Sequence, residues 1–127
     1  MKMISVGQTF IEKHTLAQSE FNRFAALSGD DNPIHVDPEF SARTRFGKTV
    51  AHGMFLYSLV CGALAKHFPN ASQASQDLMF PAPSFVGEEI TISLRVLESN
   101  ATAARVETMI TRPNGEIGLQ GETILSL

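Results

Sequence analysis

The segment GMFLYSLVCGALA, residues 53–65, decides the fold of this chain. Its apolar residues are spread nearly all round a helix instead of along one stripe, interrupted by Tyr57 and Ser58. Such a helix is expected to be buried, because other elements wrap around it. The segment is too short to span a bilayer, and Lys66, His67 and Pro69 favour a helix end just after it. We therefore predict a helix at the centre of the molecule.

The second half of the chain predicts the strands that surround this helix. Apolar and polar residues alternate over residues 90–96, 104–110 and 117–125. The sequence Pro113-Asn114-Gly115 is a strong hairpin signal, and Ser99-Asn100 predicts another turn. An antiparallel sheet with one face on the helix follows from this pattern, which gives an α+β architecture.

The first half predicts a short strand, roughly residues 7–13, and then a helix. Thr15, with Gln18 three residues later, predicts a capping box at the helix start. Gly29 suits a left-handed residue at its end. A second short helix is expected over residues 38–43, with Asp37 as its cap.

Length and composition predict a single domain over residues 1–127, with ordinary hydrophobic (43%) and charged (18%) fractions. The net charge of −3 argues against nucleic acid as a partner. The lone cysteine, Cys61, allows no intrachain disulfide and fits a reducing compartment. Met1–Ser5 shows no apolar stretch of the signal-peptide kind. We expect a cytoplasmic protein without a membrane segment.

The segment SGDDNPIH, residues 28–35, contains the candidate catalytic side chains. Two acids, an amide and an imidazole fall within six residues. Pro33 disfavours helix at the residue before it, and Gly29 marks a chain reversal, so we predict a loop instead of regular helix. A carboxylate and an imidazole brought together can share a water molecule and move its proton. His52-Gly53, at the start of the apolar helix, is the second part of the predicted site.

These residues resemble the MaoC-like, (R)-specific enoyl-CoA hydratase family, which has the hot-dog fold. The resemblance rests on Phe24-Ala25-x-Leu27-Ser28-Gly29-Asp30-x-Asn32-Pro33-Ile34-His35-x-Asp37, on His52-Gly53-Met54 and on Phe80-x-x-Pro83-x-x-x-Gly87-Glu88. It covers nearly the whole chain in the same order. It implies one hot-dog domain, residues 1–127, in which an antiparallel sheet wraps round the central hydrophobic helix.

The resemblance implies reversible hydration of trans-2-enoyl-CoA to (R)-3-hydroxyacyl-CoA, with Asp30 and His35 as the catalytic pair. Gly53, at a helix start, would offer its N–H to the thioester oxygen. Asn32 and His52 complete the predicted substrate-binding set, Asn32 as an organiser of the loop and His52 as a residue packing the loop against the helix. No metal or redox cofactor is expected, and coenzyme A enters as part of the substrate. The family also implies a homodimer.

Other interpretations stay open at this stage. Asp30 and Asn32 are common turn residues, and His35 alone is more often structural than catalytic. An acyl-CoA thioesterase could share the fold. A non-catalytic acyl-thioester-binding or assembly subunit is favoured by Cys61, which stands where family hydratases can carry a serine that helps to hold the pair.

A small basic cluster precedes the His-Gly pair: Arg43, Arg45 and Lys48. It could contact the phosphates of coenzyme A, and an ordinary solvated surface explains it equally well.

Overall fold

A computed structural model describes residues 4–127, so the first three residues of Met1–Ser5 lie outside the described part. One antiparallel sheet of five strands has the order β1-β3-β4-β5-β2. The elements are, in chain order, β1 (Thr9–Thr15), α1 (Gln18–Ser28), α2 (Pro33–Val36), α3 (Pro38–Ala42), α4 (Gly53–His67), β2 (Ser72–Gln76), β3 (Glu89–Ser99), β4 (Ala103–Thr111) and β5 (Ile117–Ser126).

The core lies between α4 and one face of the sheet. The alternating residues of β3 supply much of that face, with Ile90, Leu94 and Val96 at most 1% exposed. Val60, on the facing side of α4, is fully buried. The predicted arrangement of a helix packed on an antiparallel sheet is therefore confirmed. No helix within residues 4–127 is both long and apolar enough to span a membrane.

The prediction that α4 is buried on all sides is wrong for the single chain. Met54 is 53% exposed. Ser58, Gly62 and Ala65 follow it at helical spacing and are exposed as well. The sheet covers only one side of the helix, because five strands without a second layer cannot enclose it. This exposed stripe lies on an otherwise apolar helix.

The start of α1 also differs from the prediction. Thr15 is the last residue of β1 and pairs with Glu89, so it does not cap the helix. The Glu20 carboxylate instead accepts a hydrogen bond from the Ala17 N–H at 3.0 Å. The capping signal was placed two residues too early, because the strand continues through the polar residues that resemble a cap. At the other end, Gly29 is left-handed (φ 80°), as predicted.

Sequence reasoning missed β2. Its residues, SQASQ, show no apolar alternation, and four of the five are exposed. It pairs with β5 on one side only and forms an edge of the sheet. Its strand conformation comes from that pairing and not from its own pattern.

Candidate active site

Two short structures shape the segment 28–35. Gly29 reverses the chain after α1, and a one-turn helix, α2, begins at Pro33. The Asn32 side chain caps this turn by accepting a hydrogen bond from the Ile34 N–H at 3.1 Å. The expectation of a loop as far as His35 is thus wrong in its last residues, because proline is well suited to the first position of a helix. The expected role of Asn32 as organiser of the segment agrees with this hydrogen bond.

The capped turn fixes the orientation of the His35 ring. Nδ1 of His35 lies 2.7 Å from the main-chain oxygen of Val50. A carbonyl only accepts, so Nδ1 carries the hydrogen, and in the neutral ring the lone pair is on Nε2. That nitrogen lies 3.8 Å from Oδ2 of Asp30. The sequence-predicted pair is therefore brought together.

The separation of the pair suits a shared water better than a direct hydrogen bond. At 3.8 Å the two atoms are too far apart for a strong hydrogen bond. A single water can contact both at about 2.8 Å, the usual length of such bonds. His35 is 15% exposed and Asp30 56% exposed, so the carboxylate faces the open side. The arrangement can hold a water between an acceptor and an anion.

His52 lies directly behind this pair. Its ring is stacked on the His35 ring, with centroids 3.9 Å apart, and its Nε2 is 2.9 Å from the main-chain oxygen of Asp30. Only 2% of the residue is exposed. Burial lowers the pKa of His52, and the hydrogen bond to Asp30 opposes this only in part. Through these contacts His52 packs the segment 28–35 against the start of α4, the role expected for it from the sequence.

Gly53 is the first residue of α4, next to His52. Within the described residues no side chain caps this helix start, so its first N–H groups are free for a ligand. A Cβ on Gly53 would lie 3.0 Å from carbons of the Phe80 ring. Gly53 and Phe80 both line a cavity of about 310 Å³, together with Val50, Leu56 and Arg45. The cavity therefore extends to the first residue of the helix.

Comparison with known proteins identifies the family to which this chain belongs. The model of the family described as MaoC-like domain matches residues 4–115. The chain belongs to the MaoC-like family. It is 36% identical to the (R)-specific enoyl-CoA hydratase of Aeromonas caviae over 128 residues, covering 98% of this chain and 96% of that protein. It is 34% identical to the 3-hydroxybutyryl-CoA dehydratase of Methylorubrum extorquens, covering 98% and 81%. By family, this MaoC-like protein is a hydro-lyase.

Solved structures agree with this family. The (R)-hydratase of A. caviae involved in PHA biosynthesis superimposes with a TM-score of 0.94 at 34% identity, covering 100% of this chain and 99% of that one. The unliganded R-hydratase PhaJ1 of Pseudomonas aeruginosa gives 0.92 at 31% identity, covering 96% and 81%. The predicted hot-dog fold is thereby confirmed for this MaoC-like chain.

Cys61 contacts the edge strand β2 in this MaoC-like protein. Its Sγ is 3.5 Å from Oε1 of Gln73. It is eight residues beyond Gly53, which corresponds to about 12 Å along the helix axis. Tyr57 shares this environment, and its pKa is raised by burial and by the hydrogen bond with Cys61. The hydrogen bond of Cys61 is made to Gln73 on β2. An influence of Cys61 on Asp30 and His35 stays a prediction.

One arrangement of donors in the MaoC-like site has the spacing of a metal centre. Asp30, His35 and His52 each offer one ligand atom, and these atoms lie within 4.8 Å of one another. Two of the four ring nitrogens, however, already face main-chain carbonyls. The other two, Nε2 of His35 and Nδ1 of His52, keep lone pairs that can accept a proton or bind a cation without breaking either hydrogen bond.

The structure adds residues that sequence reasoning did not assign. Phe80 was noted only as part of a motif, yet it covers the Gly53 backbone. Of the basic cluster, Arg45 lines the cavity, with its guanidinium 4.9 Å from the centre of the Phe46 ring. The sequence shows Phe80 as an aromatic residue before a proline. It does not show that the ring packs against Gly53, which lies 27 residues earlier.

Proposed function

We propose that this protein is an (R)-specific 2-enoyl-CoA hydratase, which reversibly adds water to trans-2-enoyl-CoA to give (R)-3-hydroxyacyl-CoA. One observation carries the proposal: Oδ2 of Asp30 and Nε2 of His35 face each other at 3.8 Å. The relative from A. caviae, named an (R)-specific enoyl-CoA hydratase, supports this choice of substrate and product.

The proposed reaction begins with a water held between the two side chains. Asp30 accepts a hydrogen bond from one O–H, and the neutral Nε2 of His35 takes the proton from the other. The oxygen then bonds to C3 of the enoyl group, and the electron pair of the C2–C3 bond shifts toward the thioester carbonyl. His35 returns its proton to C2, so the product contains both hydrogens and the oxygen of water. Acid–base catalysis of this kind supplies roughly 10²–10⁴-fold in rate.

The helix start supports the second part of the mechanism. Negative charge develops on the thioester oxygen as C3 is attacked, and the Gly53 N–H at the positive end of α4 can hold it. One such donor is worth about 10²–10³-fold in kcat. The cavity beside Gly53 gives the thioester a route to this N–H, with Arg45 in its wall as a candidate contact for a phosphate.

The direct test is hydration of crotonyl-CoA, followed by the loss of absorbance of the conjugated thioester and by chiral analysis of the product. We expect Asp30→Asn and His35→Gln to reduce kcat by at least about 10²-fold. Asp31→Asn is the matched control, because the same change is made at the neighbouring exposed acid, which the mechanism does not use. Full rates in the Asp30 and His35 variants, or an (S) product, would contradict the proposal.

Assays on the same purified protein distinguish the two alternative functions, a thioesterase and a non-catalytic subunit. Release of free thiol from saturated acyl-CoA would indicate a thioesterase, and binding of acyl-CoA without turnover would indicate a non-catalytic subunit. Curated relatives from plants are named 3-hydroxyacyl-[acyl-carrier-protein] dehydratases. Crotonyl groups on coenzyme A and on acyl carrier protein should therefore be compared, and we expect the coenzyme A thioester to be preferred.

We further propose that the reaction needs no metal, since the proton transfers of the proposed mechanism use only Asp30, His35 and the water between them. Treatment with a strong chelator should leave kcat unchanged, and restoration of a lost rate by a divalent cation would contradict this.

We also propose a homodimer. The exposed stripe on α4 and the open edge of β2 are two surfaces that a second copy could cover. Light scattering coupled to gel filtration tests this, and a monomer at micromolar concentration would argue against it.

A further inference from the structure

We propose that His52 is a positioning residue, which holds the Asp30 main chain through its Nε2–H and the His35 ring through its own ring face. The inference rests on the proposed function, because it assumes that Asp30 and His35 share the reacting water. It gives His52 a role beyond packing, because one ring contacts both Asp30, which precedes the α2 turn, and His35, which lies within it.

The contacts of His52 reach both members of the pair. Nε2 lies 2.9 Å from the main-chain oxygen of Asp30, which is 22 residues away in the sequence. The ring lies on the His35 ring with centroids 3.9 Å apart and planes inclined by 23°. Asp30 precedes the α2 turn and His35 lies within it. A shift of the His52 ring would therefore move one group relative to the other.

The His52 ring is itself held firmly. Phe24 and Phe21, on α1, lie against it with ring centroids at 4.9 and 6.5 Å. Its main chain is the cap residue of α4, and its carbonyl accepts the Leu56 N–H at 3.2 Å. The ring is thus fixed from the helix on one side and from α1 on the other.

The protonation state of His52 follows from these contacts. Nε2 faces a carbonyl and therefore carries the hydrogen, which leaves the lone pair on Nδ1. Nδ1 is buried without a hydrogen-bond partner among the described residues. The titratable groups that act on the ring are Asp30 and His35, and its aromatic neighbours on α1 are Phe21 and Phe24. A neutral His52 neither repels a proton on His35 nor competes for it.

The position of His52 excludes it from direct chemistry. The residue is 2% exposed, and its one hydrogen-bearing nitrogen is bound to Asp30. It therefore acts through Asp30 and His35, and its loss should change kcat more than KM. A role limited to packing predicts another result: lower thermal stability with an unchanged kcat for the folded enzyme.

Two variants separate the parts of the role. His52→Phe keeps a flat ring for stacking but removes the N–H donor. His52→Gln offers an amide N–H at a similar reach but no ring. With crotonyl-CoA, well below the melting temperature, we expect His52→Phe to lower kcat by about 10–100-fold with KM within about twofold, since misplacement by about 1 Å can reduce rates 10²-fold. We expect His52→Gln to lose less, about two- to tenfold in kcat, because it keeps a donor for Asp30 and gives up only the ring contact with His35.

A measurement on the unmodified protein completes the test. Two-bond ¹⁵N–¹H NMR correlations report the tautomer of each histidine, and we expect Nε2–H for His52 and Nδ1–H for His35. An Nδ1–H tautomer at His52, an undiminished kcat in His52→Phe, or a His52→Gln variant reduced more than tenfold would each overturn the proposal. If His52→Phe does not fold, the tautomer and His52→Gln decide. If the wild-type enzyme hydrates no enoyl thioester, the proposed function fails while the NMR result still tests the contacts.

Discussion

Replacing Gly53 by alanine tests whether the space beside the α4 start is needed for substrate. The added Cβ would lie 3.0 Å from two carbons of the Phe80 ring and 3.1 Å from a third. Ordinary carbon contacts are about 3.5–4.0 Å, so the ring must retreat by about 0.5–1 Å. Phe80 is 42% exposed, so this retreat is toward solvent.

The effects of Gly53→Ala on stability and on rate should therefore separate. Strain against this half-exposed ring costs about 1 kcal/mol, the low end for overpacking, and alanine gains up to about 1 kcal/mol over glycine within a helix. The free energy of unfolding should change by less than about 1 kcal/mol. The methyl group enters the cavity where the thioester must approach the N–H. We expect kcat to fall by about 10²-fold, equivalent to about 2.7 kcal/mol of transition-state stabilisation.

The assay is crotonyl-CoA hydration by Gly53→Ala, by Phe80→Ala and by the double variant, each with a urea denaturation curve. If the methyl group acts by displacing Phe80, the double variant should regain most of the rate of Phe80→Ala. If the methyl group blocks the thioester itself, the double variant should remain about 10²-fold slower. A Gly53→Ala enzyme within threefold of the wild-type kcat would refute the reasoning about this helix start.

Three further changes test the surroundings of the site. Asn32→Ala removes the cap of the α2 turn and should destabilise it by about 1 kcal/mol and lower kcat, whereas Asn32→Asp keeps the acceptor for the Ile34 N–H and should retain activity in the same assay. Arg112→Met breaks the ion pair with Glu88, whose side chains are 12% and 18% exposed, and should lower the free energy of unfolding in urea by about 2–3 kcal/mol. Burial lowers the pKa of His52, so below about pH 6.5 the unfolded chain binds a proton at this residue that the folded protein does not bind. The free energy of unfolding should therefore decrease as the pH falls below 6.5, by at most about 1.4 kcal/mol per pH unit. The decrease should be smaller in His52→Gln.

Local signals in the sequence predicted the elements that depend on few residues. Gly29 ends α1 because a left-handed residue is needed there, and Asp37 caps α3 by accepting N–H bonds from Glu39 and Phe40. Alternation predicted β3, β4 and β5, since one face of each is buried by α4. The choice of Asp30 as the partner of His35 came from the family resemblance, whereas the local sequence predicted only that an acid and an imidazole lie close together.

Features that depend on distant contacts were not predictable in the same way. β2 is polar and exists because β5 pairs with it. The hydrogen bond of His52 joins positions 22 residues apart, so no local pattern reports it. Burial of α4 was overestimated, because composition shows that a helix is apolar but not how many layers cover it. Cys61 was linked to the pair by family resemblance, and the structure gives it a hydrogen bond to Gln73.

The site converges on four consecutive residues, Val50 to Gly53. The Val50 carbonyl fixes the His35 tautomer, the Ala51 N–H binds the main chain of Ser84 at 2.8 Å, His52 holds Asp30, and Gly53 begins α4. The proposed proton-transfer pair and the proposed oxyanion site are thus tied to one stretch of main chain. Because that stretch leads into α4, whose facing side packs on the sheet, we expect the core of the fold to set the distance between the proposed water and thioester oxygen.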